Sequence, residues 1–146
     1  MADSEHVREP AGDVGQPRLT TVLWLVALAA LVALSLWPSP GSKGVEVDPG
    51  QNVLWTLAHI PSYAVVVGLT VPLVYSWVRD PLPALLVSAL FGIALGIALE
   101  LLQPLVGRVA DLADVALNVL GTFLAISFWT GGHLMSRRLP ADRSRG

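Results

Sequence analysis

Eight side chains in this sequence bring chemistry to stretches that are otherwise apolar: His59, Tyr63, Glu100, Gln103, Arg108, Asp111, Asp114 and Asn118. Arg108 can pair with a phosphate or carboxylate, while Glu100, Asp114, Gln103 and Asn118 offer hydrogen bonds to the polar end of a ligand. His59, Glu100, Asp111 and Asp114 are also the donor types that hold a divalent metal able to activate water or clamp a phosphate. Alternatively, the same groups satisfy one another and only lock a helical bundle. The sequence contains no HExxH, no GxSxG and no dense histidine cluster, so spacing alone supports no particular metal or hydrolase chemistry. No cofactor is assigned, and a divalent metal is the one kind that this donor set would accept.

The elements that hold these groups follow from composition. Of 146 residues, 53% are hydrophobic and 14% charged, against about 25% charged in soluble domains. With a mean hydropathy of +0.63, the solvent this chain suits is a bilayer. The absence of cysteine excludes disulfides, thiolate nucleophiles and Cys-ligated metal or iron-sulfur sites. A net charge of −2 and a pI near 5.8 give none of the basic footprint of a nucleic-acid binder.

A spanning helix needs about 20 predominantly apolar residues, because lipid offers no partner for a backbone N–H or C=O. Four stretches qualify, at about 19–37, 53–78, 83–102 and 112–130. They predict an all-α, polytopic membrane protein, a bundle of four transmembrane helices within residues 19–135. Residues 1–18 are polar, acidic and rich in Pro and Gly, the composition of a disordered tail. Residues 38–52 read as a turn-rich exposed loop, and residues 136–146 as a basic tail. The first apolar run is longer than a signal-peptide core and lacks a clear small-x-small cleavage site. Pro61 and Pro72 in the second span are common membrane-helix residues and carry no functional weight.

Lys and Arg in the flanking segments set the orientation. With a cytoplasmic N-terminus, the inside holds Arg8, Arg18, Arg79, Arg137, Arg138, Arg143 and Arg145, and the outside only Lys43 and Arg108. Seven against two predicts a multi-pass protein of the cell membrane with both termini cytoplasmic. The second and fourth spans then begin at the outer face and the third ends there, which brings the eight polar residues to one leaflet.

Helical spacing sharpens this convergence. At about 100° per residue, Asp111, Asp114, Asn118, Gly121 and Ala125 share an arc of roughly 80°. Gly92, Gly96 and Glu100 recur at i, i+4 and i+8, a small-residue groove leading to a carboxylate and a surface for close packing of the third and fourth spans. His59 and Tyr63 are i, i+4 neighbours. Together these predict a polar cup, open to the outside, between spans two, three and four. Each group also has an ordinary role. Glu100 and Arg108 can form a simple ion pair, Asp111 and Asp114 can sit solvated at a helix N-terminus, and His59 can be a hydrogen-bonded anchor. Tyr63, Trp24, Trp37, Trp55, Trp77 and Trp129 fit interfacial anchoring. Co-location at one depth favours a site.

The segment 100–121, ELLQPLVGRVADLADVALNVLG, resembles the VanZ-like family of small bacterial membrane proteins. The motif is Glu-x-x-Gln, Gly-Arg, Asp-x-x-Asp, then Asn and Gly on the next helix. Here it is carried by Glu100, Gln103, Gly107, Arg108, Asp111, Asp114, Asn118 and Gly121, with His59 and Tyr63 matching an upstream His-x-x-x-Tyr. The chain departs from the family at Thr56 and Trp55, where many members have a basic residue preceded by Asp. The resemblance covers spans two to four. The resemblance implies cell-envelope biology and an association with resistance to the glycopeptide teicoplanin.

Three functions are compatible with these readings. One is a non-enzymatic pocket for an envelope ligand, whether a lipid headgroup, a wall precursor or a glycopeptide. The second is a structural membrane subunit, and the third a metal-dependent, membrane-embedded hydrolase or transferase. Ion or proton transport fits poorly, since the inner halves of the spans offer almost no ionisable group.

Overall fold

A computed structural model describes residues 16–37, 53–54 and 56–138. Four helices make up nearly all of it: α1 (Gln16–Ser35), α2 (His59–Val78), α3 (Pro81–Leu102) and α4 (Leu112–Arg138), with a short 3₁₀ turn at Gln103–Val106. All four are long and apolar enough to cross a membrane, and the described residues contain no strand. The chain is an all-α, multi-pass membrane protein. Residues 53–54 and 56–57 are also helical. The expected tail before residue 16, the loop at 38–52, the end beyond 138, and Lys43 and Trp55 lie outside the described residues.

Helix ends differ from the hydropathy bounds for a simple reason: apolarity marks where hydrocarbon stops, whereas backbone hydrogen bonding decides where a helix stops. Thus α1 starts at Gln16, inside the segment read as a tail, and α4 continues through Ser136 to Arg138. Between α2 and α3 the turn is tight. Arg79 closes α2 in a left-handed conformation, its N–H bonded to the Tyr75 carbonyl. Asp80 caps α3 by accepting from the Leu82 N–H at 3.0 Å, with Pro81 in the first turn, where a missing N–H costs nothing.

Helix α2 lies at the centre and packs against the other three, while α1 joins the bundle chiefly through α2. Leu31, Tyr63, Val66 and Leu99 form the apolar core, with Phe91 and Leu95 packed against it. Lipid tails are as apolar as leucine, so helices associate in a bilayer by close approach and interhelical hydrogen bonds. Close approach is built by glycine. A Cβ on Gly92 would stand 2.6 Å from Val67 Cγ2 and 2.7 Å from Thr122 Oγ1, and one on Gly96 would meet Asn118 Cβ at 3.2 Å. At Gly121 an added Cβ would overlap the Ile60 carbonyl oxygen and press on Tyr63. The three glycines therefore sit where α2, α3 and α4 touch.

Trp24 departs from its expected role. Its indole N–H donates to Thr70 Oγ1 at 2.9 Å, inside the α1–α2 interface, so a buried hydroxyl satisfies a group that interfacial water was expected to meet. Trp37 and Trp77 are exposed, as an anchor requires. Trp129 packs against Tyr75 and His133.

Candidate functional site

The C-terminal ends of α1 and α3 and the N-terminal ends of α2 and α4 meet at one end of the bundle. Local geometry in the α3–α4 connector creates this meeting point. The 3₁₀ turn ends at Gly107 with φ of 78°, a left-handed conformation that glycine takes without strain, and its N–H bonds back to the Gln103 and Pro104 carbonyls. The chain reverses there. Asp111 then starts α4: its Oδ1 accepts from the Ala113 N–H at 2.8 Å and its carbonyl from the Asp114 N–H at 3.1 Å.

Six of the eight candidates are brought together and buried. His59 and Tyr63 come from α2, Glu100 from α3, Gln103 from the 3₁₀ turn, and Asp114 and Asn118 from α4; none exceeds 8% exposure. The His59 Nδ1 and Asn118 Oδ1 lie 2.8 Å apart, and Nε2 of the same ring is 3.7 Å from Asp114 Oδ2. Glu100 accepts from Gln103 Nε2 at 3.1 Å through one oxygen and from the Asp111 backbone N–H at 3.2 Å through the other. Tyr63 stacks on His59 with ring centroids 6.5 Å apart and planes 8° from parallel. Its burial is complete, which removes it from the interfacial anchors.

Two candidates stand apart. The Asp111 side chain is exposed and occupied with capping. Helical spacing puts it on the polar face of α4, but Asp111 precedes the first helical residue, so helical angles do not apply to it. Arg108 makes no ion pair with Glu100. Its guanidinium donates instead to the Ser35 carbonyl at 2.8 Å, where unpaired carbonyls at the end of α1 concentrate negative partial charge. Arg108 therefore ties α1 to the connector.

The open cup is also corrected: the polar groups pack against one another instead of lining an open bowl. What remains beside them is a crevice of about 30 Å³, lined by Leu31, Leu34, Ser35, Ala58, His59, Ser62 and Arg108, room for about one or two water molecules. Within the packed cluster, Tyr63 Oη, Gln103 Oε1 and Asn118 Nδ2 have no hydrogen-bond partner. Unpaired buried polar atoms are rare in folded proteins, and each calls for a partner.

The sequence reading missed two contributors. Thr122, buried one turn after Asn118, donates to the Asn118 carbonyl at 2.9 Å and could have been found by extending the same face. The Ser35 carbonyl could not, since a backbone acceptor has no signature in side-chain identity. Among the described residues, one group of three buried donors can meet a metal: His59, Glu100 and Asp114, whose donor atoms lie within 4.8 Å of one another. Compared with family models, curated proteins and solved structures, the chain matches none.

Proposed function

We propose that this is a VanZ-like integral membrane protein in which Arg108, at the crevice beside the packed polar cluster, pairs with the anionic end of an envelope ligand at the extracytoplasmic face. The observation that carries this reading is the crevice in which His59 and Arg108 stand beside the apolar walls of Leu31 and Leu34. That combination suits an amphiphile with a charged head and a hydrocarbon body, such as a phosphorylated lipid or a lipid-linked wall precursor. Arg108 uses one N–H on Ser35, and a guanidinium has five donors in a planar fork, so donors remain for a phosphate. Lys and Arg asymmetry supports the orientation. A link to teicoplanin resistance belongs to this reading, because a protein that holds wall precursors would alter what a glycopeptide meets.

The structural reading draws on a different observation, the mutual hydrogen bonding of His59, Asn118, Glu100 and Gln103. One experiment separates the two. Purified chain in detergent is titrated with a polyprenyl phosphate, phosphatidylglycerol and teicoplanin, and binding is read by native mass spectrometry. Arg108→Gln is expected to weaken binding of the preferred ligand at least about tenfold, the loss of one charge-assisted contact. Equal binding by Arg108→Gln would take Arg108 out of the role, and no binding by the native chain would leave the structural reading.

A further inference from the structure

We propose that His59 Nε2, one Glu100 oxygen and Asp114 Oδ2 form a three-donor site for a first-row divalent cation, held in shape by the Asn118 and Gln103 carboxamides. The site goes beyond the envelope-ligand reading, since it requires only these side chains.

Asn118 Oδ1 can only accept, so its 2.8 Å contact fixes a proton on Nδ1 of His59. Nε2, the other nitrogen of the ring, then faces Asp114 Oδ2 at 3.7 Å. The distance is too long for a hydrogen bond, yet near the roughly 3.4 Å between two donors on a tetrahedral ion with bonds of about 2.1 Å. Glu100 brings a second carboxylate within 4.8 Å of both.

Charge gives a second reason. Two carboxylates, Glu100 and Asp114, share this buried region, and Arg108, which hydrogen-bonds the Ser35 carbonyl, makes no ion pair with either. Buried charges require compensation, and a dication with a neutral imidazole balances two carboxylates. The surroundings match what metal ligands need. A ligating histidine gives its other N–H to an oxygen acceptor, the part Asn118 plays, and Gln103 bonds the Glu100 carboxylate. Asn118 Nδ2 and Gln103 Oε1, on side chains at most 1% exposed and bonded to two of the ligands, have no protein partner. They can bond a metal-bound water. One nitrogen and two oxygens favour Zn²⁺ or Mn²⁺ over Ca²⁺ and Mg²⁺, which prefer all-oxygen shells. Three protein ligands leave a coordination position open.

The test uses full-length, tag-free chain in detergent, stripped with chelator and dialysed against Zn²⁺, with Co²⁺ as a spectroscopic substitute. One zinc per chain is expected, with a rise in Tm that chelator reverses and visible d–d bands for Co²⁺. Asp114→Asn and Glu100→Gln should each weaken zinc binding at least about tenfold, and Asn118→Ala about 10–100-fold. Less than a stoichiometric fraction of zinc on folded native chain, or full binding that survives both carboxylate substitutions, overturns the site. Should a carboxylate variant fail to fold, the native chain still decides the matter: the Co²⁺ bands must show nitrogen and oxygen ligation, and their absence with a flat Tm response counts against it. No envelope molecule is present, so failure here is distinct from failure of ligand binding.

Discussion

The α2–α4 interface has two regions built on opposite terms. Near the connector end, Gly121 lets α4 touch the α2 backbone at Ile60, and Gly96 of the adjoining α3 makes room for Asn118, so the polar cluster is closely enclosed. Farther along, an added Cβ on Gly68 would reach only Ala125 Cβ, at 3.9 Å, and a groove of about 860 Å³ opens between Ala64, Val65, Leu69, Leu124, Phe128 and Trp129. The difference follows from the solvent. Acyl chains can fill an apolar groove at little cost, whereas a buried imidazole or carboxylate in hydrocarbon costs several kcal/mol unless the protein itself satisfies it. Tight packing is therefore concentrated where the polar groups are.

The largest expected effect comes from a paired substitution. Gly121→Ala should cost about 2–3 kcal/mol, in the range of core overpacking, because the obstructing atom is a backbone carbonyl that cannot rotate away. Gly68→Ala should be neutral or stabilising, since its Cβ meets ordinary contact distance and alanine is the better helix former by up to about 1 kcal/mol. Thermal unfolding of both variants in one detergent measures the contrast, and equal losses would erase the distinction between the two regions. A smaller effect is expected outside that interface. Trp24→Phe removes the hydrogen bond to Thr70 and should cost about 0.6 kcal/mol, the average for such bonds between membrane helices. A loss several times larger would mean that α1 is held more tightly than its largely exposed surface suggests.

The bundle was legible because lipid imposes helices, and the glycine stripe was legible because helical period fixes which residues share a face. Gly92, Gly96 and Glu100 did lie along one side of α3, all buried. Asp114, Asn118, Gly121 and Ala125 did the same on α4. The period failed at Asp111, one residue outside the helix, where capping geometry takes over. It also could not distinguish an open cup from a filled one, since that depends on how far the helices approach. Nor could α1 be placed. Its nearly uniform apolar surface names no packing face, and its tie to the α3–α4 connector is the Ser35 carbonyl, an atom that every residue has.

The central claim is that side chains from separate helices form one packed cluster, and the His59–Asn118 pair tests it most directly. A double-mutant cycle with His59→Ala and Asn118→Ala, read by equilibrium unfolding in detergent, isolates their mutual term. Contact at 2.8 Å predicts a coupling of about 1–2 kcal/mol, with each single substitution leaving the other group buried and unpaired. Additive losses, agreeing within about 0.3–0.5 kcal/mol, would mean that the two side chains do not meet and that the cluster does not exist as described.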